Sequence, residues 1–380
     1  MQLDFERTLL GVVETLKSRR SIGSKVVFMQ NLLRGKDFIT TQEWTKSELE
    51  TMLDVACDLK RKFVMGEPHE FLKNKTLFML FYNPSIRTRN SFEAGMTQLG
   101  GHAHYLTPET VYSPTLTEEE PLEKLGETRE KISDSARVLD RYGHGIALRI
   151  FGKPTGWIYG RGNLIIREFA RWSRVPVINM EDDMYHPCQA MADIMTIREK
   201  LKELKGRKLV MSWAYSPSPW KPASVPHSVI QICTMFGMDV VLSHPDGFEL
   251  DPKVVEEARE NARMFGGSLE MCNNMNEAFK GADVVYPKSW TSLAQLPPTT
   301  KKPDFAKIEE LLRVNKDWIC DQEKINLCKK SVIYMHCLPA DRGAEVTNEV
   351  IDGPNSVVFD QAENRLHAQK AIMSLTLGRV

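Results

Sequence analysis

Phe78-Met-Leu-Phe-Tyr-Asn-Pro-Ser85-Ile86-Arg87-Thr88-Arg89-Asn-Ser-Phe-Glu93 is the stretch from which the rest of the chain is read. The apolar run from Thr76 to Tyr82 is short and rich in bulky residues, so it predicts a buried strand, broken by Asn83-Pro84. Ser85 stands where a helix N-cap belongs. Phe92, Met96 and Leu99 then recur at i, i+4 and i+7 on one helical face, and Gly100-Gly101 ends the helix. A strand therefore delivers Arg87, Arg89 and two hydroxyls to the first turn of a helix. Free backbone N–H groups and the helix dipole favour an anion there, and guanidinium forks match paired phosphate or carboxylate oxygens. The bland alternative is an ordinary capped helix with two surface arginines. The compact S-x-R-T-R run directly after a buried strand favours the anion site.

Outward from this stretch, strands and helices alternate. Before it, Thr45 caps a helix to about Lys62 with Leu49, Met52, Leu53 and Ala56 inward. After it come a strand at Ala103–Leu106, a polar loop from Thr107 to Glu120, a helix at Leu122–Tyr142, a strand at Gly145–Ile150, a helix at Asn163–Trp172 and a strand at Val175–Asn179. A helix at Pro187–Leu204 links to a second series. It has strands at Leu209–Trp213, Val240–Leu242, Ser268–Met271, Val284–Tyr286, Val332–His336 and Val357–Phe359. Its helices lie at Val225–Phe236 and Pro252–Met264, and a last one at Ala362–Leu375. This rhythm predicts an α/β protein of two doubly wound parallel-sheet domains joined by interdomain helices. Residues 1–36 read as an N-terminal extension, 37–186 as one domain completed by the C-terminal helix (362–380), and 187–361 as the second. In such sheets ligands sit at the carboxyl ends of the strands. Four polar clusters fall at such ends: Ser85–Arg89, Arg149, His186-Pro-Cys-Gln189 and His336-Cys337-Leu338-Pro339.

Composition narrows the class. The 380 residues are too many for one ordinary core. Lys+Arg and Asp+Glu both number 50, so the formal net charge is zero, which argues against a nucleic-acid binder. The 7 cysteines are odd in number and form no C-x-x-C pair, so neither a zinc ribbon nor a disulfide framework is expected and reduced cytoplasmic thiols are the simplest account. No apolar run is long enough to cross a bilayer, and neither a metal nor a cofactor is expected.

His186 and Gln189 lie three residues apart on the first turn of a helix and face one way. Together an imidazole and a carboxamide can polarise a carbonyl and hold an amide NH2. The plainer reading is a capping histidine beside a solvated glutamine, and for His336-Cys-Leu-Pro it is a strand-ending turn with a core histidine. Glu363-Asn-Arg365 opens the last helix, where a cation is electrostatically misplaced unless it serves another purpose.

S-x-R-T-R, H-P-x-Q and H-C-L-P, in this order, resemble the aspartate/ornithine carbamoyltransferase family from about residue 40 to the C-terminus, and Glu363-Asn-Arg-Leu-His-Ala-Gln-Lys-Ala is like the C-terminal helix of its ornithine-type members. The resemblance implies that Ser85, the Ile86 backbone, Arg87 and Thr88 hold the phosphate of carbamoyl phosphate. Arg149 and His186 would contact its carbonyl oxygen. Gln189 and the backbone carbonyls of Cys337 and Leu338 would hold its NH2, and Arg365 would complete the cradle. Arg149, His186, Thr88 and Arg87 would be the catalytic groups, with a neutral amine attacking and phosphate leaving. Homotrimers with shared active sites are implied, with a side chain from a neighbour's loop near Tyr112–Lys124. A non-catalytic carbamoyl-phosphate-binding protein of the same fold is the alternative.

The acceptor is read from the second domain. The Pro-rich loop Trp213-Ala-Tyr-Ser-Pro217-Ser-Pro219-Trp220-Lys221-Pro222 resembles that of the knotted branch, which includes N-acetylornithine, N-succinylornithine and YgeW-type transcarbamylases, and implies a trefoil knot in that domain. Tyr286-Pro-Lys288-Ser289-Trp290 stands where free-ornithine enzymes carry an Asp and a Ser-Met-Gly loop. Lys288 would pair an acceptor's α-carboxylate or be a surface lysine, with Ser289 and Trp290 beside it, and Asp341 would meet a cationic amine. The expected acceptor is an amino acid with a primary amine: ornithine-like, N-acylated or another diamino acid.

Overall fold

The structure, a computed structural model, describes residues 32–111, 113–116, 129–218, 220–296 and 303–377. Helix α1 (Lys46–Val64) begins at a reciprocal capping box: the Thr45 hydroxyl accepts from the Glu48 N–H while the Glu48 carboxylate accepts from the Thr45 N–H. Its Leu49, Met52, Leu53 and Ala56 are buried, as their spacing predicts. Next come β1 (Thr76–Phe81), α2 (Ile86–Gln98), β2 (His102–Leu106), the short strands β3 (Ser113–Thr115) and β4 (Arg129–Lys131), α3 (Ile132–Tyr142), β5 (Gly145–Arg149), α4 (Arg161–Trp172) and β6 (Val177–Glu181). β1, β2, β5 and β6 form a parallel sheet in the order β2-β1-β5-β6.

Helix α5 (Pro187–Leu201) leads to β7 (Lys208–Trp213), α6 (Ser224–Met235), β8 (Asp239–Ser243), α7 (Pro252–Phe265), β9 (Ser268–Cys272), α8 (Met275–Phe279) and β10 (Val284–Lys288). After these come α9 (Phe305–Val314), α10 (Gln322–Ile325), β11 (Ile333–Tyr334), α11 (Asn348–Ile351) and α12 (Val358–Thr376). The second sheet is parallel, in the order β11-β10-β7-β8-β9. Strands β5, β6 and β10 are buried at every position, as parallel strands covered by helices on both faces must be.

Helix α12 returns to pack on α1, α2 and α5. Gly95 lets α2 and α12 meet closely: a Cβ there would lie 2.9 Å from Met373 Cε and 3.3 Å from Lys370 Cγ. No helix among the described residues is long and apolar enough to cross a membrane. The chain's seven cysteines are all free thiols.

Several expected boundaries move. Val357–Phe359 is not a strand: Val357 precedes α12 and the next residues form its first turn. The local signal was genuine but brief, since the backbone pairs with β11 only through the Tyr334–Ser356 bridge and the Val357 N–H bond to the Tyr334 carbonyl before turning helical. Arg365 consequently sits two turns inside α12 rather than at its start, beyond the first turn in which the helix dipole disfavours a cation. The helix expected at Leu122–Tyr142 begins at Ile132, because Arg129–Lys131 pairs with Ser113–Thr115 as a two-stranded ribbon. The helix expected to reach Leu204 stops at Leu201, where Lys202 turns to φ +67°. The strand expected at Val332–His336 shrinks to two residues. Residues 1–31 of the expected N-terminal extension and most of the Tyr112–Lys124 loop lie outside the described residues.

His227 on α6 ties the two series together. Its Nδ1 lies 3.0 Å from the Met184 carbonyl, and its Nε2 accepts from the Asp251 N–H at 3.2 Å. These partners require the neutral tautomer with the proton on Nδ1. Burial pushes its pKa down to about 4 from the ordinary 6.5. The folded state therefore resists a proton that the unfolded chain accepts. His227 contributes its full stability above about pH 6.5 and loses it as pH falls toward 4. We expect the fall in Tm between pH 7.5 and pH 5 to be smaller in His227→Gln than in the unaltered protein, measured by calorimetry in matched buffers.

Candidate active site

Each sheet reverses direction once, between β1 and β5 in the first and between β7 and β10 in the second. Ligand sites collect at such switch points. The carboxyl ends of these four strands carry Ser85–Thr88, Arg149, Lys221 on its loop, and Lys288, and they surround one cavity of about 200 Å³. The cavity is lined by Ser85, Arg87, Thr88, Arg149, His186, Gln189, Cys337, Leu338 and Arg365, nine of the ten residues expected to hold carbamoyl phosphate. The tenth, Ile86, is named for its backbone; its side chain is 72% exposed and it is the first residue of α2.

Local chemistry builds this wall. Ser85 caps α2, its hydroxyl accepting from the Thr88 N–H at 3.2 Å. Arg87 faces the cavity. Arg89, read from the sequence as part of the anion site, points elsewhere: its guanidinium lies 3.8 Å from the Tyr105 ring centre and its Nε donates to Glu93. Arg365, almost fully buried on α12, donates to Gln189 Oε1 at 2.6 Å and to Thr88 Oγ1 at 3.1 Å. Gln189 Nε2 donates to Asp193, as does Gln361 Nε2, each at 2.7 Å. This fixes the Gln189 amide with its oxygen on the Arg365 side. Burial pushes the Asp193 carboxyl up to about 7.

His186 is the N-cap of α5, and its backbone N–H donates to Ser228 Oγ at 2.8 Å. Burial, joined by the charges of Arg365, Arg149 and Arg87, drives its pKa well below the ordinary value. The imidazole is therefore neutral at physiological pH and able to donate one hydrogen bond without carrying charge. His186 Nδ1 and Arg149 Nε are both buried and find no hydrogen-bond partner among the described residues. Unsatisfied polar atoms of this kind are costly unless a ligand completes them.

Glu181 was missed in the sequence. It ends β6, where the register with β5 shifts next to Arg149. Its carboxylate pairs with Arg149 Nη1, accepts from Ser224 Oγ at 2.9 Å and lies 3.6 Å from His186 Nε2. Only its position at the carboxyl end of a strand could have flagged it.

Family models match the chain twice. Residues 36–199 match the aspartate/ornithine carbamoyltransferase carbamoyl-P binding domain, and residues 221–376 match the Asp/Orn binding domain. The chain belongs to the aspartate/ornithine carbamoyltransferase family. It is 41% identical to an ornithine carbamoyltransferase of Thermococcus kodakarensis over 92% of this chain and 98% of that one. It is 39% identical to an N-acetylornithine carbamoyltransferase of Xanthomonas campestris pv. campestris, covering 90% of this chain and 98% of the relative. A solved acetylornithine transcarbamylase complexed with acetylcitrulline superposes with a TM-score of 0.83, at 36% identity, over 90% of this chain and all of the other.

The residues expected on the acceptor side of this carbamoyltransferase are scattered. Lys288 lines the cavity and is no surface lysine: it is 8% exposed. Ser289, Trp290 and Asp341 do not line it. Trp290 is buried in the core with its indole donating to the Phe248 carbonyl. The Ser289 N–H donates to Glu345. Asp341 pairs with Lys221 at 2.6 Å and accepts from Ser216 Oγ. Glu181, Phe151, Trp220, Lys221, Pro222 and Val225 also line the cavity.

Arg365→Met removes two charge-assisted hydrogen bonds, each worth roughly 1.5–3 kcal/mol when a charged group takes part. We expect the affinity for carbamoyl phosphate to fall by at least about tenfold, equal to ~1.4 kcal/mol, by titration calorimetry, with little change in far-UV circular dichroism.

Proposed function

We propose that this carbamoyltransferase transfers the carbamoyl group of carbamoyl phosphate to the primary amine of a small amino acid whose carboxylate is met by Lys288. The observation that carries the reading is that the anion-directed groups of β1–α2, β5, α5 and α12 meet one neutral histidine and two lysines, Lys221 and Lys288, around a single cavity. In this reading, residues 37–186 with the C-terminal helix hold the donor and residues 187–361 hold the acceptor.

The donor's phosphate sits at the N-terminus of α2, against its N–H groups and Arg87. Gln189 Oε1, held on the Arg365 side, accepts from the donor's NH2 together with the carbonyls of Cys337 and Leu338. The carbonyl oxygen lies toward Arg149, His186 and Thr88. The amine lone pair attacks the carbonyl carbon, the carbon–oxygen bond to phosphate breaks, and the departing phosphate takes the amine's proton. As the carbonyl oxygen gains charge, preorganised donors of this kind each lower the barrier by about 3–4 kcal/mol. His186 serves as such a donor because, being neutral, it adds no repulsion to a wall already holding Arg87, Arg149 and Arg365. Binding the donor draws Arg149 toward the carbonyl oxygen, and Glu181 then faces the incoming amine.

Ornithine and N-acetylornithine carbamoyltransferases resemble the chain to nearly the same degree, so the cavity's own side chains define the acceptor. Asp341 pairs with Lys221 and lies outside the cavity lining, whereas Glu181, paired with Arg149, is part of that lining and is the carboxylate that would meet the amine. The knotted topology and the homotrimer with shared sites belong to this reading. The Pro-rich loop after β7 supports the knot, and solution mass tests the trimer. Free thiols throughout fit a cytoplasmic setting.

Phosphate release from carbamoyl phosphate is to be measured with ornithine, N-acetylornithine, N-succinylornithine, putrescine and short diamino acids, with products identified by mass. We expect turnover with an amino-acid amine and none with putrescine, which lacks a carboxylate. In Lys288→Met, the acceptor KM should rise by tenfold or more while carbamoyl phosphate binding is unchanged. Turnover with putrescine equal to that with the best amino acid would refute the carboxylate assignment.

A further inference from the structure

Glu345 lies just beyond the H-C-L-P segment and is fully buried. Its carboxylate is surrounded by donors. Oε1 accepts from the Ser289 N–H at 2.7 Å and lies 3.4 Å from Lys288 Nζ. Oε2 accepts from the Asp341 N–H at 2.7 Å and lies 3.2 Å from Lys221 Nζ and 3.3 Å from His336 Nε2. One side chain thus ties together the end of β10, the Pro-rich loop after β7 and the turn that carries Cys337 and Leu338. A buried carboxylate is costly unless paired and hydrogen-bonded on all sides, and here both oxygens are.

The two lysines are the cavity-lining cations outside the donor cradle. Lys288 Nζ also donates to the Ser289 carbonyl at 2.8 Å, and Lys221 also pairs with Asp341. An ammonium has three N–H donors, so each lysine keeps one for the cavity.

We propose that Glu345 is the positioning residue of the acceptor site: it holds Lys288 charged and aimed into the cavity, and it anchors Lys221 and the Cys337–Leu338 turn around it. The proposal rests on the reading of Lys288 as the acceptor's carboxylate partner only for its functional consequence; the hold of Glu345 on Lys288 stands apart from it. Burial by itself would discharge Lys288, but the charge and hydrogen bond of Glu345, joined by Cys337 and Glu181, together outweigh it and raise the lysine above its ordinary value. Burial would likewise raise Glu345, yet Lys288, His336 and Lys221 hold it far below the carboxylate range. The other titratable groups facing this pair are Asp341 through Lys221, Cys337 and Glu181. None touches Lys288 Nζ in a direct ion pair among the described residues, so Glu345 is its direct counter-charge.

The test is the pH profile of Lys288 acetylation by acetic anhydride in the intact protein, read by peptide mass spectrometry. In the unaltered protein Lys288 should stay unreactive through the pH range in which surface lysines label. In Glu345→Gln the midpoint for Lys288 should fall by at least about one pH unit, as loss of a paired charge at a buried site demands, while labelling of surface lysines stays unchanged. Glu345→Asp should restore part of the shift. Labelling of Lys288 in the unaltered protein alongside surface lysines overturns the proposal, whether or not the variants fold. So does an unmoved Lys288 profile in a folded Glu345→Gln. If instead the profile shifts as expected while Lys288→Met leaves acceptor KM unchanged, the acceptor reading fails and the hold of Glu345 on Lys288 stands.

Discussion

The guanidinium of Arg365 is the constraint around which the donor side is arranged. It is buried on α12, yet its partners, Thr88 and Gln189, belong to the helix after β1 and to the helix that joins the two sheets. A buried cation must be met by hydrogen bonds from every side. The packing of α12 on α1, α2 and α5 therefore has to be accurate, and Gly95 permits the approach that makes it so. Gln189 in turn depends on Asp193, which also accepts from Gln361 of the same α12. The anion-binding turn of α2 is thus a local feature of sequence, but its depth and dryness come from distant parts of the chain.

Charge on the two sides of the cavity is handled differently. The proposed donor side gathers Arg87, Arg149 and Arg365, with Glu181 as the carboxylate in the cavity lining, so it stays positive and depresses His186. On the acceptor side cations and anions alternate from Asp341 through Lys221 and Glu345 to Lys288. A surplus of positive charge suits a dianion whose charge is carried away with the leaving group. A balanced chain suits a molecule that brings both charges with it, as a free amino acid does.

What the sequence shows and what it hides follow one physical line. Strand β1, the Ser85 cap, the Phe92–Met96–Leu99 face and the H-P-x-Q turn are local, and composition and spacing report them directly. The positions of Arg89, Trp290 and Asp341 are not local. Arg89 and Arg87 are two residues apart in the same turn, yet only packing against Tyr105 decides that one faces the ring and the other the cavity. Trp290 lies two residues after the cavity-lining Lys288 and reads as its neighbour, but its indole finds the Phe248 carbonyl in the core. Glu181 and Glu345 carry no motif of their own; their roles come from partners on other elements, which no spacing encodes. The brief apolar run at Val357–Phe359 misled because a β-branched pair can start a helix as well as a strand once longer-range packing favours it.

The Arg365–Thr88 contact joins positions 277 residues apart. Closing so long a loop costs entropy that only the accumulated packing of both sheets can offset. The cradle proposed for the donor is therefore complete only once α12 has docked on the first domain. A partly folded molecule, however well formed its first sheet, lacks the guanidinium that closes the cradle. In the proposed reading it engages the carbamoyl donor more weakly, as Arg365→Met is expected to do. Donor binding and the docking of the last helix are thus coupled by geometry.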